Sequence, residues 1–243
     1  MKIIQTLAIA SLLVALIGCK KNDDNSLPLD GEWIVIQRGE KTFPSTEIAV
    51  MSFDARTLTT SYADRDTTTG GGFCWLVVSE KYLQSGNQLV CTKSKIKIKM
   101  LIKSITADRL EYIITESSVP LTEVIGKVNV AEKAIDTYSS KLIGTWELVR
   151  DSKPSESYRI KYAPDGTYDY LIKNEAGEWI KSIRPISKYR LYGSYLVTEY
   201  VPTSDNTPYC DIWRVISIED NVMTSKMSES GKEERTWVMK KIL

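Results

Sequence analysis

Leu29-Asp30-Gly31-Glu32-Trp33-Ile34-Val35-Ile36 and Leu142-Ile143-Gly144-Thr145-Trp146-Glu147-Leu148-Val149 are two stretches of one chain with one pattern. Each sets a leucine two residues before a Gly-x-Trp, then an apolar run of strand-forming residues. The interval from Trp33 to Trp146 recurs between Val124 and Trp237, and further landmarks keep nearly the same spacing. Lys81-Tyr82 answers to Lys188-Tyr189, and Asp108-Arg109-Leu110 to Asp220-Asn221-Val222. A duplicated unit is the economical reading, and each copy has the length of a small domain. The expected division is a leader over 1–18, a tether over 19–28, a first domain over 29–130, a linker over 131–141 and a second domain over 142–243. In the linker, Ala131, Ala134, Ile135 and Tyr138 fall at helical spacing, which predicts a short helix.

Outward from these motifs the chain reads as short alternating runs cut by turn residues, the pattern of antiparallel strands. In Lys95-Ile96-Lys97-Ile98-Lys99-Met100 the lysines take one face and the apolar residues the other. That lysine row has two readings, a charge that blunts an exposed sheet edge or a seat for an anionic glycan or lipid head group. Pro164-Asp165-Gly166 predicts a tight hairpin between Tyr158–Tyr162 and Thr167–Ile172. Trp33 and Trp146 are expected to plug one end of each unit.

Taken in order, Gly-x-Trp strand, Asp-Gly hairpin and later alternating strands, the two units resemble the lipocalin-like domains of bacterial envelope lipoproteins. The resemblance implies an all-β fold of two tandem antiparallel barrels. The second unit matches better. The first has Asp54-Ala55-Arg56 in place of the Asp-Gly turn and an inserted Thr67-Thr68-Thr69-Gly70-Gly71-Gly72, so it is expected to be irregular or open.

At the N-terminus, Lys2 precedes a largely apolar run from Ile3 to Ile17, too short for the ~20 residues of a comfortable membrane span. Leu16-Ile17-Gly18-Cys19 resembles the lipobox of bacterial lipoproteins, which implies acylation of Cys19; the alternative is an ordinary cysteine at the end of a signal peptide. The resemblance places the protein on the outer membrane, at the cell surface or the periplasmic face, held by lipid and not spanning. Lys20, Lys21, Asp23 and Asp24 resemble a surface-export tether, or else form a solvated linker.

Composition bounds the chemistry. With 32 basic and 31 acidic residues the net charge is +1, so no large positive field exists to hold nucleic acid. The chain has no histidine, which removes imidazole catalysis and histidine metal ligation. Cys74, Cys91 and Cys210 lack the close pairing of a structural zinc site, and a Cys74–Cys91 disulfide is left open. The acid pairs Glu233-Glu234 and Asp23-Asp24 read as solvated charges. No cofactor or metal is expected, and no enzymatic activity.

Tyrosine is concentrated in the second unit. Tyr168, Tyr170, Trp179, Tyr189, Tyr195 and Trp213 are the candidate ligand-binding residues, since aromatics with polar tips suit a wet cavity, though they also fill barrels. The expected function is binding of a small molecule, a glycan or an envelope protein. The alternative is a structural or interaction module with filled barrels.

Overall fold

Period-two alternation builds two antiparallel sheets, one from each unit. The computed structural model describes residues 27–43, 47–65, 73–93, 96–118, 122–150, 153–182, 186–201, 208–227 and 234–242. The leader, Cys19, the Lys20–Asp24 charges, the 67–72 insert, Lys95 and Glu233 lie outside the described residues.

The first sheet contains β1 (Gly31–Arg38), β2 (Lys41–Thr42), β3 (Ala49–Asp54), β4 (Thr57–Arg65), β5 (Phe73–Ser85), β6 (Gln88–Lys93), β7 (Ile96–Ile105), β8 (Arg109–Ser118) and β9 (Thr122–Lys133). Sequential neighbours pair, and β1 also pairs with β9, so eight strands close into a barrel with β2 as a short flap on β1. After a helical turn α1 (Ser139–Leu142), the second sheet contains β10 (Gly144–Arg150), β11 (Lys153–Tyr162), β12 (Tyr168–Lys173), β13 (Trp179–Lys181), β14 (Ile186–Tyr192), β15 (Tyr195–Val201), β16 (Tyr209–Glu219), β17 (Val222–Met227) and β18 (Arg235–Ile242). Its order, β13-β12-β11-β10-β18-β17-β16-β15-β14, makes a curled half-barrel. Both are lipocalin-like in general shape.

The closed and open units are the reverse of the expectation. In the first, β4 pairs along its whole length with the unbroken β5, from Thr57↔Lys81 to Arg65↔Phe73. In the second, the equivalent partner of β12 is broken into β13 and β14. Ser182 N donates to Tyr170 O at 2.7 Å, and the edges meet again at Thr167↔Lys188, with Tyr189 N donating to Gly166 O at 2.7 Å. Between these contacts the β13–β14 side carries three more residues than β12. That excess splits the ladder while leaving its foot joined. The missing Asp-Gly turn of the first unit is replaced by Ala55, held at φ +43°.

The duplication is visible atom by atom at that foot. Trp33 Nε1 donates to Leu29 O at 2.7 Å, and Trp146 Nε1 to Leu142 O at 2.6 Å. Both indoles are fully buried. Each lies opposite a lysine of the last strand, Trp33↔Lys133 and Trp146↔Lys241. The ammonium groups sit 4.4 and 5.4 Å from the ring centroids and donate to Asp30 O and Lys141 O. Gly31 and Gly144 have φ of +103° and +131°, and a Cβ there would run into the lysine side chains. Gly-x-Trp thus encodes a corner. The units superimpose at their ends through Lys133 and Lys241, which corrects the matching of Val124 to Trp237: the spacing shortens by the time β18 reaches the corner.

The two domains share a third core. Ile34, Ile48, Val50 and Trp75, on the outside of the barrel, pack against Tyr192, Tyr195, Val197, Cys210 and Ile212, on the outside of the curled sheet. The Trp75 and Tyr192 rings stand 5.8 Å apart. Tyr195-Leu196-Val197-Thr198 is therefore buried on every residue, Leu196 inside and Val197 at the interface. The linker is mostly extended. β9 runs to Lys133, Ala131 is buried in the barrel, and Ala134 N donates to Glu32 O. Pairing to β1 and β8 overrides the helical spacing, and Asp136 turns the chain by accepting from Tyr138 N and Ser139 N just before α1.

Two outcomes are expected. Trp146→Ala lowers unfolding free energy by about 3–5 kcal/mol and Trp146→Phe by about 1–2, through the orphaned Leu142 carbonyl, as measured by urea denaturation. Val197→Asp places a carboxylate in the shared core and separates the domains; two thermal transitions and a larger radius of gyration replace a single cooperative unit, with strand content kept.

Candidate functional site

Inward positions of β11 and β12 carry Tyr158, Ile160, Tyr162 and Tyr168, Tyr170, Ile172, paired as Tyr158↔Ile172, Ile160↔Tyr170 and Tyr162↔Tyr168. The tyrosines form a ladder with centroids 5.9 Å (Tyr162–Tyr168), 5.6 Å (Tyr168–Tyr170) and 6.0 Å (Tyr158–Tyr170). Tyr189 closes it from β14, edge-on to Tyr162 at 5.1 Å, with its hydroxyl donating to Ala163 O at 2.6 Å. Burial, reinforced by the neighbouring phenols, holds the Tyr162 hydroxyl well above its usual range, and burial raises that of Tyr189. Both stay neutral near pH 7. Across the interior, Trp213 and Trp237 meet edge to face at 5.5 Å. The small, buried Ser225 lies between their strands and leaves the room.

Exposure rises along this interior. Tyr162 and Tyr168 at the foot are buried; Tyr158, Tyr170, Trp213 and Trp237 are half-buried; Ile172 and its partner Ile180 are 39% and 44% exposed. The first barrel differs. Its interior is packed by Trp33, Phe53, Leu89, Met100, Leu110 and Tyr112, and at its far end Arg38 donates to Asn129 at 3.1 Å and covers the Phe43 ring at 5.4 Å.

Of the six residues singled out from sequence, Tyr168, Tyr170, Tyr189 and Trp213 come together here. Tyr195 and Trp179 do not, because alternation puts both on the outer face. Tyr195 belongs to the interdomain core. Trp179 lies under the Arg159 guanidinium at 4.1 Å and the Lys173 ammonium at 5.3 Å, and Arg159 is in turn 2.9 Å from Glu147. Tyr158 and Trp237 were missed. Strand parity would have found both, since each stands two residues from a core residue, Ile160 and Met239.

Cys74, Cys91 and Cys210 are free thiols. Cys91 lies opposite Tyr82, eight residues along β5 from Cys74, roughly 25 Å away, so a Cys74–Cys91 disulfide is excluded. Burial pushes the Cys91 thiol up to about 11 and raises Cys210 further. Among the described residues no cluster of acids and cysteines could hold a metal ion, and no helix is long and apolar enough to cross a membrane. A groove of about 220 Å³ between the domains is smaller than the usual ligand pocket of about 300–1,000 Å³.

No family model matches the chain, and no curated protein matches it in sequence.

Raised thiol pKa values suppress the reactive thiolate. Iodoacetamide at about pH 8 is expected to modify Cys74 in the folded protein and to reach Cys91 and Cys210 only after denaturation, as read by peptide mass spectrometry. Equal labelling of all three would contradict the burial described.

Proposed function

We propose that this chain is a lipid-anchored envelope lipoprotein, acylated at Cys19, whose second domain binds a ligand without transforming it. The carrying observation is the graded aromatic interior of the curled sheet. Tyr158, Tyr170, Trp213 and Trp237 are only partly buried on the inner side of the curled sheet, while the interior of the first barrel is packed by its core residues. Half-exposed rings backed by a rigid layer of buried rings suit a ligand with flat apolar faces and polar edges, such as a sugar ring or a small aromatic molecule. The leader-like run ending at Leu16-Ile17-Gly18-Cys19 supports the anchor. With a net charge of +1, nucleic acid is a poor partner.

The second reading, a structural module that docks on other envelope proteins, draws support from the filled first barrel and the interdomain core. Tryptophan fluorescence with a panel of oligosaccharides and small aromatic ligands separates the two. Under the binding reading a ligand shifts the emission saturably, and Trp213→Ala weakens its binding by about tenfold. No ligand in the panel, or one indifferent to Trp213→Ala and Tyr170→Ala, leaves the structural module.

A further inference from the structure

The lysine row of β7 plays no part in the aromatic site. Its edge-blunting reading is removed by the topology: β7 pairs with β6 on one side and β8 on the other, inside a barrel that has no edge. Lys97 is described in its backbone only. Lys99 and Lys103 project from β7, and Lys81 from β5, on the outer surface, where alternation also puts Leu83, Val90, Leu101, Ile113 and Val128. These apolar residues are linked by the pairs Leu83↔Val90, Leu101↔Ile113 and Ile113↔Val128. They make a belt in two parts, one on β5 and β6 and one on β7, β8 and β9, with Lys99 between them opposite Val90. Leu83 is 71% exposed and Val128 38%. On this face the Glu111 carboxylate is occupied by Arg109 at 3.1 Å.

From this face we infer that the first barrel lies against an anionic lipid surface, its lysines among the headgroups and its apolar belt at the interface. The inference builds on the lipoprotein reading. The tether enters this barrel, since Leu27 packs against its core, and the stretch Lys20–Pro28 reaches at most about 30 Å from the acylated residue. Long lysine stems lie along apolar surface while their ammonium groups meet phosphate. A second copy of the chain has no matching seat. The register Trp33↔Met51 and Trp146↔Ile160 makes Glu147 and Arg159 the counterparts of Ile34 and Val50, so the apolar surface that receives a neighbouring domain is an ion pair in the second domain.

The test uses residues 20–243, which keep every described residue and carry no acyl chain, in co-sedimentation with vesicles of phosphatidylglycerol and phosphatidylcholine or of phosphatidylcholine alone. Binding to the anionic vesicles only, weakened by salt, is expected. Each of Lys81→Gln, Lys99→Gln and Lys103→Gln reduces it about fivefold and the triple variant on the order of a hundredfold, with unchanged circular dichroism. Leu83→Ser weakens it further. Equal binding to both vesicle types, none to either, an unaffected triple variant, or Leu83-dependent self-association in sedimentation velocity overturns the inference. Acylation of Cys19 is read separately, from the mass of the mature N-terminal peptide, so the two can fail independently.

Discussion

An indole N–H bonded to a carbonyl four residues upstream holds the foot of each domain. The bond fixes the entering chain against the first strand, the ring fills the narrowing interior, and the lysine of the last strand lies over it. Because that lysine stands directly opposite the tryptophan, the corner also sets the register between first and last strands. The inward positions next to the corner take their parity from it, and bulges after Val35 and after Glu147 reset it further along. The half-barrel keeps the same corner even though its sheet is split elsewhere, so the corner and the completeness of the ladder are separable features.

Much of this was legible from residues. Gly-x-Trp, its repetition and the Pro164-Asp165-Gly166 hairpin are local signals whose physics is contained in a few consecutive side chains, and the structure has them as read. Which unit closes was not legible. Closure depends on whether one strand runs unbroken beside its neighbour, as β5 does beside β4, and a three-residue excess between β13 and β14 decides it without any marked composition. The linker was misread for a related reason: Ala131, Ala134, Ile135 and Tyr138 satisfy a helical spacing, but Ala131 is already committed to backbone pairing on both sides.

At the aromatic site the residue types were readable and their directions only partly so. Tyr170, Trp213 and Tyr189 share an interior because they stand two steps from Tyr168, Val215 and Leu191, which pack there, and Tyr168 lies opposite the buried Tyr162. Tyr195 has equal hydrophobicity and the opposite parity. Its burial comes from the other domain, and no one-domain pattern distinguishes a residue buried inside from one buried outside by a neighbour. Trp179 was misplaced because its ring is covered by cations, Arg159 and Lys173, that alternation sets on the same outer face.

The interdomain contact joins unlike surfaces of like units. The outside of β1, β3 and β5 in one copy receives the outside of β14, β15 and β16 in the other. Such head-to-tail geometry has no inherent stop, and repeated units related in this way generate filaments unless an end is altered. Here both ends are altered. The Glu147–Arg159 pair occupies the would-be next socket, and the pairings Val90↔Lys99 and Val197↔Ile212 put Lys99 where the docking surface has Ile212. The two faces left at the ends of the pair thus carry charge where the two joined faces carry apolar side chains.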